Sequence, residues 1–255
     1  MIILRSAIFQ VLFYSNCTLW FIAACIAWPL PSRFMIKFAH GWARSSLWLH
    51  EVIVGARVEL RGLEHVPRGA AILASKHYSA WETMALVYRV EKPTYILKRE
   101  LLRVPLFGWH LIKGGQIPID RGSRALALAK MTELAKVAIG KGRQLIIFPE
   151  GTRRKVGAAP DYKFGVARLY GALNVPCVPV AMTSGLAWPR NTLLHYPRPI
   201  LVEFLPPIPP GLEPEVFFER LQDVIETNTN RLLAEAGYRG PATGEASASP
   251  SQASA

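Results

Sequence analysis

The chain carries a histidine and, five positions later, a carboxylate: His77 and Glu82, within Ser75-Lys-His-Tyr-Ser-Ala-Trp-Glu-Thr83. These are the residue types of a general base and the group that orients it. On a continuous helix, positions five apart point about 140° away from each other. The two side chains therefore meet only if His77 lies in a loop and Glu82 in the first helical turn. A carboxylate bonded to one ring nitrogen fixes the tautomer and leaves the other nitrogen free to take a proton. With no protein nucleophile in the arrangement, a substrate hydroxyl would attack. The same letters also spell a Ser-x-x-Glu capping box at Ser79 and Glu82. Both uses are compatible, since a cap would hold Glu82 at the helix start.

Three later segments offer partners for that chemistry. In Gly114-Gly-Gln-Ile-Pro-Ile-Asp-Arg121, a short strand would deliver Arg121 to a strand end, where ligands gather in α/β folds. Its guanidinium could hold a phosphate in a bidentate grip or simply pair with Asp120. In Phe148-Pro-Glu-Gly-Thr-Arg153, Gly151 permits a close turn, Thr152 offers a hydroxyl, and Arg153 supplies charge. This is an anion cradle or a solvated basic loop, with Glu150 shaping it and Lys163 further along. In Val175-Pro-Cys-Val-Pro-Val180, two prolines in an apolar run predict an edge or irregular strand. Cys177 there reads as a small core residue, not a nucleophile, for want of charged neighbours.

The elements that must position these residues follow from hydrophobic periodicity. Apolar runs at 70–74, 94–97, 116–119, 144–148, 175–181 and 201–204 read as strands. Helical spacing runs through 123–139, which Lys141-Gly142 can end, and through 215–236, with Pro214 suited to its first turn. Strands alternating with helices predict an α/β domain whose sheet is flanked by helices.

Ahead of that domain, no charged residue occurs between Arg5 and Arg33, a run long enough to span a bilayer core of about 20 apolar residues. Gln10, Asn16 and Thr18 dilute it, and Pro29 and Pro31 end it. A membrane-embedded helix is expected. A cleaved signal sequence is the rival reading, but the apolar run continues past Cys25. Residues 33–54 read as a second helix, in which Trp42 and Trp48 beside Lys37 and Arg44 suit a membrane interface. The predicted organisation is 1–54 as membrane or interfacial helices, 55–238 as the α/β domain, and 239–255 as a disordered Gly/Pro/Ala/Ser tail.

Composition points the same way. A net charge of +12 accompanies a hydrophobic fraction of 51%, which fits an anionic membrane surface. No zinc-finger spacing, RNA-binding aromatic signature or Lys/Arg block supports nucleic acid. Three scattered cysteines give no metal site and no disulfide framework. The excess of Arg after the first helix places the domain on the cytoplasmic face.

In this order and spacing, the four segments resemble the motifs of the glycerolipid acyltransferase family, with bacterial 1-acyl-glycerol-3-phosphate acyltransferases as the nearer match. Lys76-His-Tyr-Ser-Ala-Trp-Glu82 is similar to the family's Asn-His-x-Ser-x-x-Asp, and 148–153 matches its Phe-Pro-Glu-Gly-Thr-Arg letter for letter. Lys76 and Glu82 stand where the family usually has Asn and Asp. Glu is one methylene longer, so the orienting contact needs a loop that accommodates it.

The resemblance implies a fold, a reaction and a location. Its sheet would be flanked by helices, behind a membrane-embedded N-terminal segment. A fatty acyl chain would pass from acyl-CoA or acyl-carrier protein to the hydroxyl of lysophosphatidic acid, giving phosphatidic acid. His77 and Glu82 would be catalytic, and Arg121, Glu150, Gly151, Thr152, Arg153 and Lys163 would form the acceptor site. No metal or cofactor is implied beyond the donor. The membrane would be the bacterial inner membrane. A related enzyme acting on another lysolipid, such as lyso-ornithine lipid, or a non-catalytic lipid-binding protein, would carry similar sequence features.

Overall fold

The uncharged N-terminal run forms a single helix, α1 (Ile2–Ile26), the one helix among the described residues long and apolar enough to cross a membrane. Its 25 residues extend about 37 Å at 1.5 Å per residue, against a hydrocarbon core about 30 Å thick. Most of its surface is open, including Ile3, Leu4, Val11 and Leu19. This computed structural model describes residues 1–104, 107–119 and 124–241, with backbone alone for 124–127. Arg121, Ser123 and the tail from 242 onward lie outside the described residues.

A turn through Pro29 and Pro31 reverses the chain into α2 (Arg33–Leu49), which runs back along α1. The polar residues that dilute the apolar run find partners there. Asn16 bonds Ser46 and Ser45, each at 3.0 Å, and the Trp20 indole donates to Ser45 at 2.9 Å. Trp42 donates to the Cys17 sulfur at 3.3 Å, so it faces α1, while Trp48 stays exposed. Gly41 supplies the notch: a Cβ there would lie 2.1 Å from the Trp20 ring. A wide π turn, His50–Val54, and Gly55 at φ +84° end this hairpin.

The domain continues as β1 (Val58–Arg61), β2 (Ala71–Ser75), α3 (Trp81–Arg89), β3 (Pro93–Lys98), α4 (Phe107–Lys113), β4 (Ile117–Ile119) and α5 (Arg124–Gly140). It closes with β5 (Gln144–Ile147), α6 (Gly165–Leu173), β6 (Cys177–Met182), the short α7 (Ser184–Ala187), β7 (Ile200–Phe204) and α8 (Pro214–Glu235). The strands form one seven-stranded sheet in the order β1-β7-β6-β2-β5-β3-β4. The five strands from β6 to β4 are parallel, and β7, with β1 beside it, runs against them. The fold is therefore mixed α/β with helices on both faces.

Every residue of β2, β5 and β6 is buried, which is why these strands read as continuous apolar runs without alternation. Leu73, Ile146 and Val180 face α3 and the α1–α2 hairpin, whereas Ile72, Leu145 and Cys177 face α5, α6 and α8. β1 was not anticipated from the sequence. It is a short edge strand whose Glu59 and Arg61 are charged and partly exposed, with Arg61 paired to Glu235 of α8.

Of the two forms expected for the proline-bearing strand, edge or irregular, the structure shows the irregular one. β6 lies inside the sheet, between β7 and β2, not at an edge. Pro176 precedes the strand and contributes only its carbonyl, to Ile72 N–H at 2.9 Å. Pro179 turns its donorless nitrogen away from β2, toward the chain leaving β7. There Leu205 donates to Pro179 at 2.9 Å, and Cys177 exchanges both bonds with Ile208. Two steps along β6 thus oppose three from Leu205 to Ile208, a β-bulge that tolerates the missing N–H.

Candidate active site

β2 and β5 are adjacent and parallel, so the loops leaving Ser75 and Ile147 emerge side by side at the carboxyl end of the sheet. The first loop carries Lys76 and His77, and the second carries Phe148-Pro-Glu-Gly-Thr-Arg153. The backbones are tied directly, with Arg154 N–H donating to the His77 carbonyl at 2.8 Å.

His77 and Glu82 meet as their spacing requires, one in the loop and the other in the first turn of α3. Nδ1 of His77 lies 2.9 Å from Oε1 of Glu82. The same oxygen accepts the N–H groups of Tyr78 and Ser79, both at 2.6 Å, while Ser184 Oγ donates to Oε2 at 2.7 Å. With every other neighbour of Glu82 a donor, the network assigns the proton to Nδ1 and leaves Nε2 as an open acceptor. The longer glutamate fits here: it reaches the imidazole and also spans back to two loop amides. Ser79 Oγ accepts Trp81 N–H at 2.8 Å, which completes the cap. The cap and the orienting contact are one device.

The imidazole plane is fixed from a second direction. Its ring stacks on Phe148, with centroids 3.9 Å apart and planes 15° from parallel. Tyr95 stands behind Phe148 at 6.1 Å and anchors itself to the Thr83 carbonyl through its hydroxyl, at 2.7 Å. His77 itself keeps 15% of its side-chain surface, enough to meet a substrate.

Of the proposed acceptor residues, Gly151 adopts φ +64°, a left-handed conformation that favours glycine, and its N–H closes a turn onto the Phe148 carbonyl at 2.9 Å. That turn leaves Thr152 and Arg153 exposed beside the His77 loop. Lys163 is also exposed, and it pairs with Asp161 at 2.6 Å. Arg121 falls outside the described residues, between the end of β4 and the start of α5.

Glu150 points inward instead. It is 1% exposed and takes the Lys76 ammonium at 2.9 Å, while Lys76 also reaches Glu226 of α8 at 2.6 Å. Tyr162 donates to the same Glu226 oxygen at 2.9 Å, and the ammonium sits over the Tyr78 and Tyr162 rings. Burial pushes the Glu150 carboxyl above its usual range, and the neighbouring ammonium only partly opposes that shift. Burial likewise drives the Cys177 thiol far up, which leaves it an inert core residue.

The sequence reading noted Lys76 but missed its buried ion pairs, and it missed Glu226, Ser184 and the stacking role of Phe148. Two of these left a signal. A lysine directly after a fully buried strand demands a buried counter-charge. On α8, Phe217, Leu221 and Ile225 mark the inward face, so Glu226 beside them was a candidate partner. Ser184 and Phe148 left none, because their contacts depend on how β5 and β6 flank β2.

A carboxylate-oriented imidazole with a free nitrogen, beside an exposed arginine turn, can deprotonate a hydroxyl on an anionic substrate. Comparison with known proteins bears on that chemistry. Residues 57–183 match the family described as Acyltransferase. A 1-acyl-sn-glycerol-3-phosphate acyltransferase of Pseudomonas aeruginosa is 36% identical over 204 residues, covering 78% of this chain and 78% of the relative. One of Cocos nucifera is 32% identical over 173 residues, covering 67% of this chain and 54% of the relative. The crystal structure of the 1-acyl-sn-glycerophosphate (LPA) acyltransferase PlsC from Thermotoga maritima superposes with a TM-score of 0.77. Its identity is 20%, with 92% of this chain and 98% of that chain covered, a likeness of fold.

Proposed function

This chain belongs to the acyltransferase family of the 1-acyl-sn-glycerol-3-phosphate acyltransferases, and from that premise we propose that it acylates lysophosphatidic acid to phosphatidic acid. The observation that carries the reading is the 2.9 Å contact from His77 Nδ1 to Glu82, which leaves Nε2 open beside the arginine turn.

In the proposed reaction, Nε2 of His77 takes the proton of the acceptor's free hydroxyl. The oxygen attacks the thioester carbonyl of acyl-CoA or acyl-carrier protein, and a C–O bond forms. The tetrahedral intermediate collapses with cleavage of the C–S bond. The imidazolium then returns its proton to the departing thiolate. Glu82 stabilises that imidazolium while Phe148 keeps its plane fixed. Arg153 holds the acceptor phosphate at the Gly151 turn, with Arg121 as a second clamp and Thr152 and Lys163 at the rim. Glu150 serves from beneath, by holding Lys76 and the loop. The thioester is a co-substrate, and the route calls on no metal or further cofactor.

The membrane arrangement belongs to the same reading. α1 enters the bacterial inner membrane, and the domain works on its cytoplasmic face, where lysolipid and donor meet.

Purified full-length protein in detergent, given radiolabelled acyl donor, is expected to acylate lysophosphatidic acid and not lyso-ornithine lipid. Product from the ornithine lipid alone would overturn the acceptor assignment. His77→Ala should lower turnover by a factor of about 10² or more with the fold intact. A variant with near wild-type transfer would remove His77 from the mechanism. Arg153→Ala should chiefly raise the KM for the acceptor.

A further inference from the structure

A group of cations next to the His77 loop has no part in the mechanism above. A cavity of about 820 Å³ lies between the segment after Arg153, the stretch from Gly185 to Arg198, and the residues that follow α8. Arg154, Lys155, Arg190, Arg198 and Arg239 line it, and no Asp or Glu does. Arg154 donates to the Ala159 carbonyl at 3.0 Å and has a more distant partner in Asp161 at 3.6 Å, and Arg190 donates to the Arg153 carbonyl. Five like charges around one concavity repel each other, and an anion of comparable charge relieves that repulsion.

Aromatic side chains complete the lining. Tyr78 and Arg154 form part of the wall, with the Tyr78 hydroxyl and Arg154 Nε enclosed in the protein behind it. Tyr196 and Tyr238, both half-buried, also line the cavity, and tyrosine is a residue on which a purine can stack. The volume falls in the range of small-molecule sites, about 300–1,000 Å³.

Charge selects among the substrates. The lysolipid brings a single phosphate, for which the Arg153 turn suffices. Acyl-CoA brings a 3′-phosphate, a diphosphate and an adenine. We propose that this cavity binds the adenosine 3′-phosphate and diphosphate of an acyl-CoA donor, and that the pantetheine arm passes Tyr78 to bring the thioester to His77. The inference rests on the acyl-transfer reading and sharpens it, by choosing CoA over the carrier protein.

The test is the double variant Arg198→Glu/Arg239→Glu of the full chain, since neither residue belongs to the acceptor site. Its KM for acyl-CoA should rise about tenfold or more, with the KM for lysophosphatidic acid and the kcat at saturating donor within about twofold of wild type. Adenosine 3′,5′-bisphosphate should compete with acyl-CoA, bind the wild type by calorimetry, and bind the variant at least about tenfold more weakly. A raised KM for lysophosphatidic acid with an unchanged donor KM would overturn the proposal in favour of the acceptor phosphate. Unchanged constants for both substrates, or use of acyl-carrier protein alone, would overturn it as well. Calorimetry requires no turnover. It therefore reads the cavity even if the enzyme fails to acylate lysophosphatidic acid, a failure that would count against the parent reading instead.

Discussion

Glu82 gathers four donors, from His77, Tyr78, Ser79 and Ser184, on a side chain with no exposed surface. An amide at this position offers a donor where the site presents only donors, and it lacks the charge that supports an imidazolium. Glu82→Gln is expected to reduce kcat by about 10²-fold or more with little change in either KM, measured by steady-state acyl transfer. Lys76 makes a different prediction. Removing one partner of a buried ion pair leaves uncompensated charge, at a cost of about 3–5 kcal/mol. Lys76→Met should lose that much stability in chemical unfolding, and Lys76→Met/Glu150→Gln/Glu226→Gln should recover most of it. The pH dependence has a definite sign. Burial holds the folded Glu150 carboxyl above its ordinary value, so the folded state binds the proton more readily than the unfolded one. Stability attributable to Glu150 rises as pH falls from above the raised folded value toward the ordinary one. The deficit of Lys76→Met should therefore shrink on mild acidification; a deficit independent of pH would contradict the assignment.

At the scale of elements, legibility followed periodicity. β2, β3, β5 and β7 lay within a residue or so of their expected limits, because each is a plain apolar run bounded by polar or turn residues. β1 escaped notice because its four residues alternate with charges whose partner, Glu235, lies in α8. β6 was legible only as an edge or irregular strand. Two prolines argue against an interior strand only if its neighbour needs their N–H groups, and the bulge at 205–208 removes that need. At the site, the positions of His77 and Glu82 were readable from spacing. The burial of Glu150 was not, since it depends on α8 reaching back to Lys76. The α1–α2 hairpin supplies a test of packing. Trp20 occupies the space a side chain at Gly41 would need, so Gly41→Leu should force the indole out and cost about 1–3 kcal/mol. A lowered Tm of the detergent-solubilised protein, partly restored by adding Trp20→Ala, would verify the notch.

Across the whole molecule, α1 is joined to the domain through a cluster of rings. Phe9 packs within 5.5 Å, centroid to centroid, of His50, Trp188 and His195. Gln10 donates to Nε2 of His195 at 2.8 Å if that nitrogen is unprotonated, and neither His50 nitrogen has a hydrogen-bond partner among the described residues. Burial lowers His50 to about 3 and His195 to about 4 from an ordinary 6.5. Below the ordinary value the unfolded chain takes up protons that the folded one refuses. Stability is therefore full above about pH 6.5 and declines as pH falls toward the two folded values. Near pH 5 the His50 contribution alone is about 2 kcal/mol. Thermal unfolding followed from about pH 7.5 to about pH 5 should show the decline, and His50→Phe should flatten it.

The ion pair under the site also has a consequence in time. Glu226 lies 150 positions after Lys76, which at roughly 5–20 residues per second is about 8–30 s of synthesis. During that interval α1 has already left the ribosome and can meet the bilayer, while the loop bearing His77 still lacks the partner that pins its neighbour. An elongating chain can thus meet a bilayer before its active loop is secured, and that loop gains its full set of partners only when α8 docks.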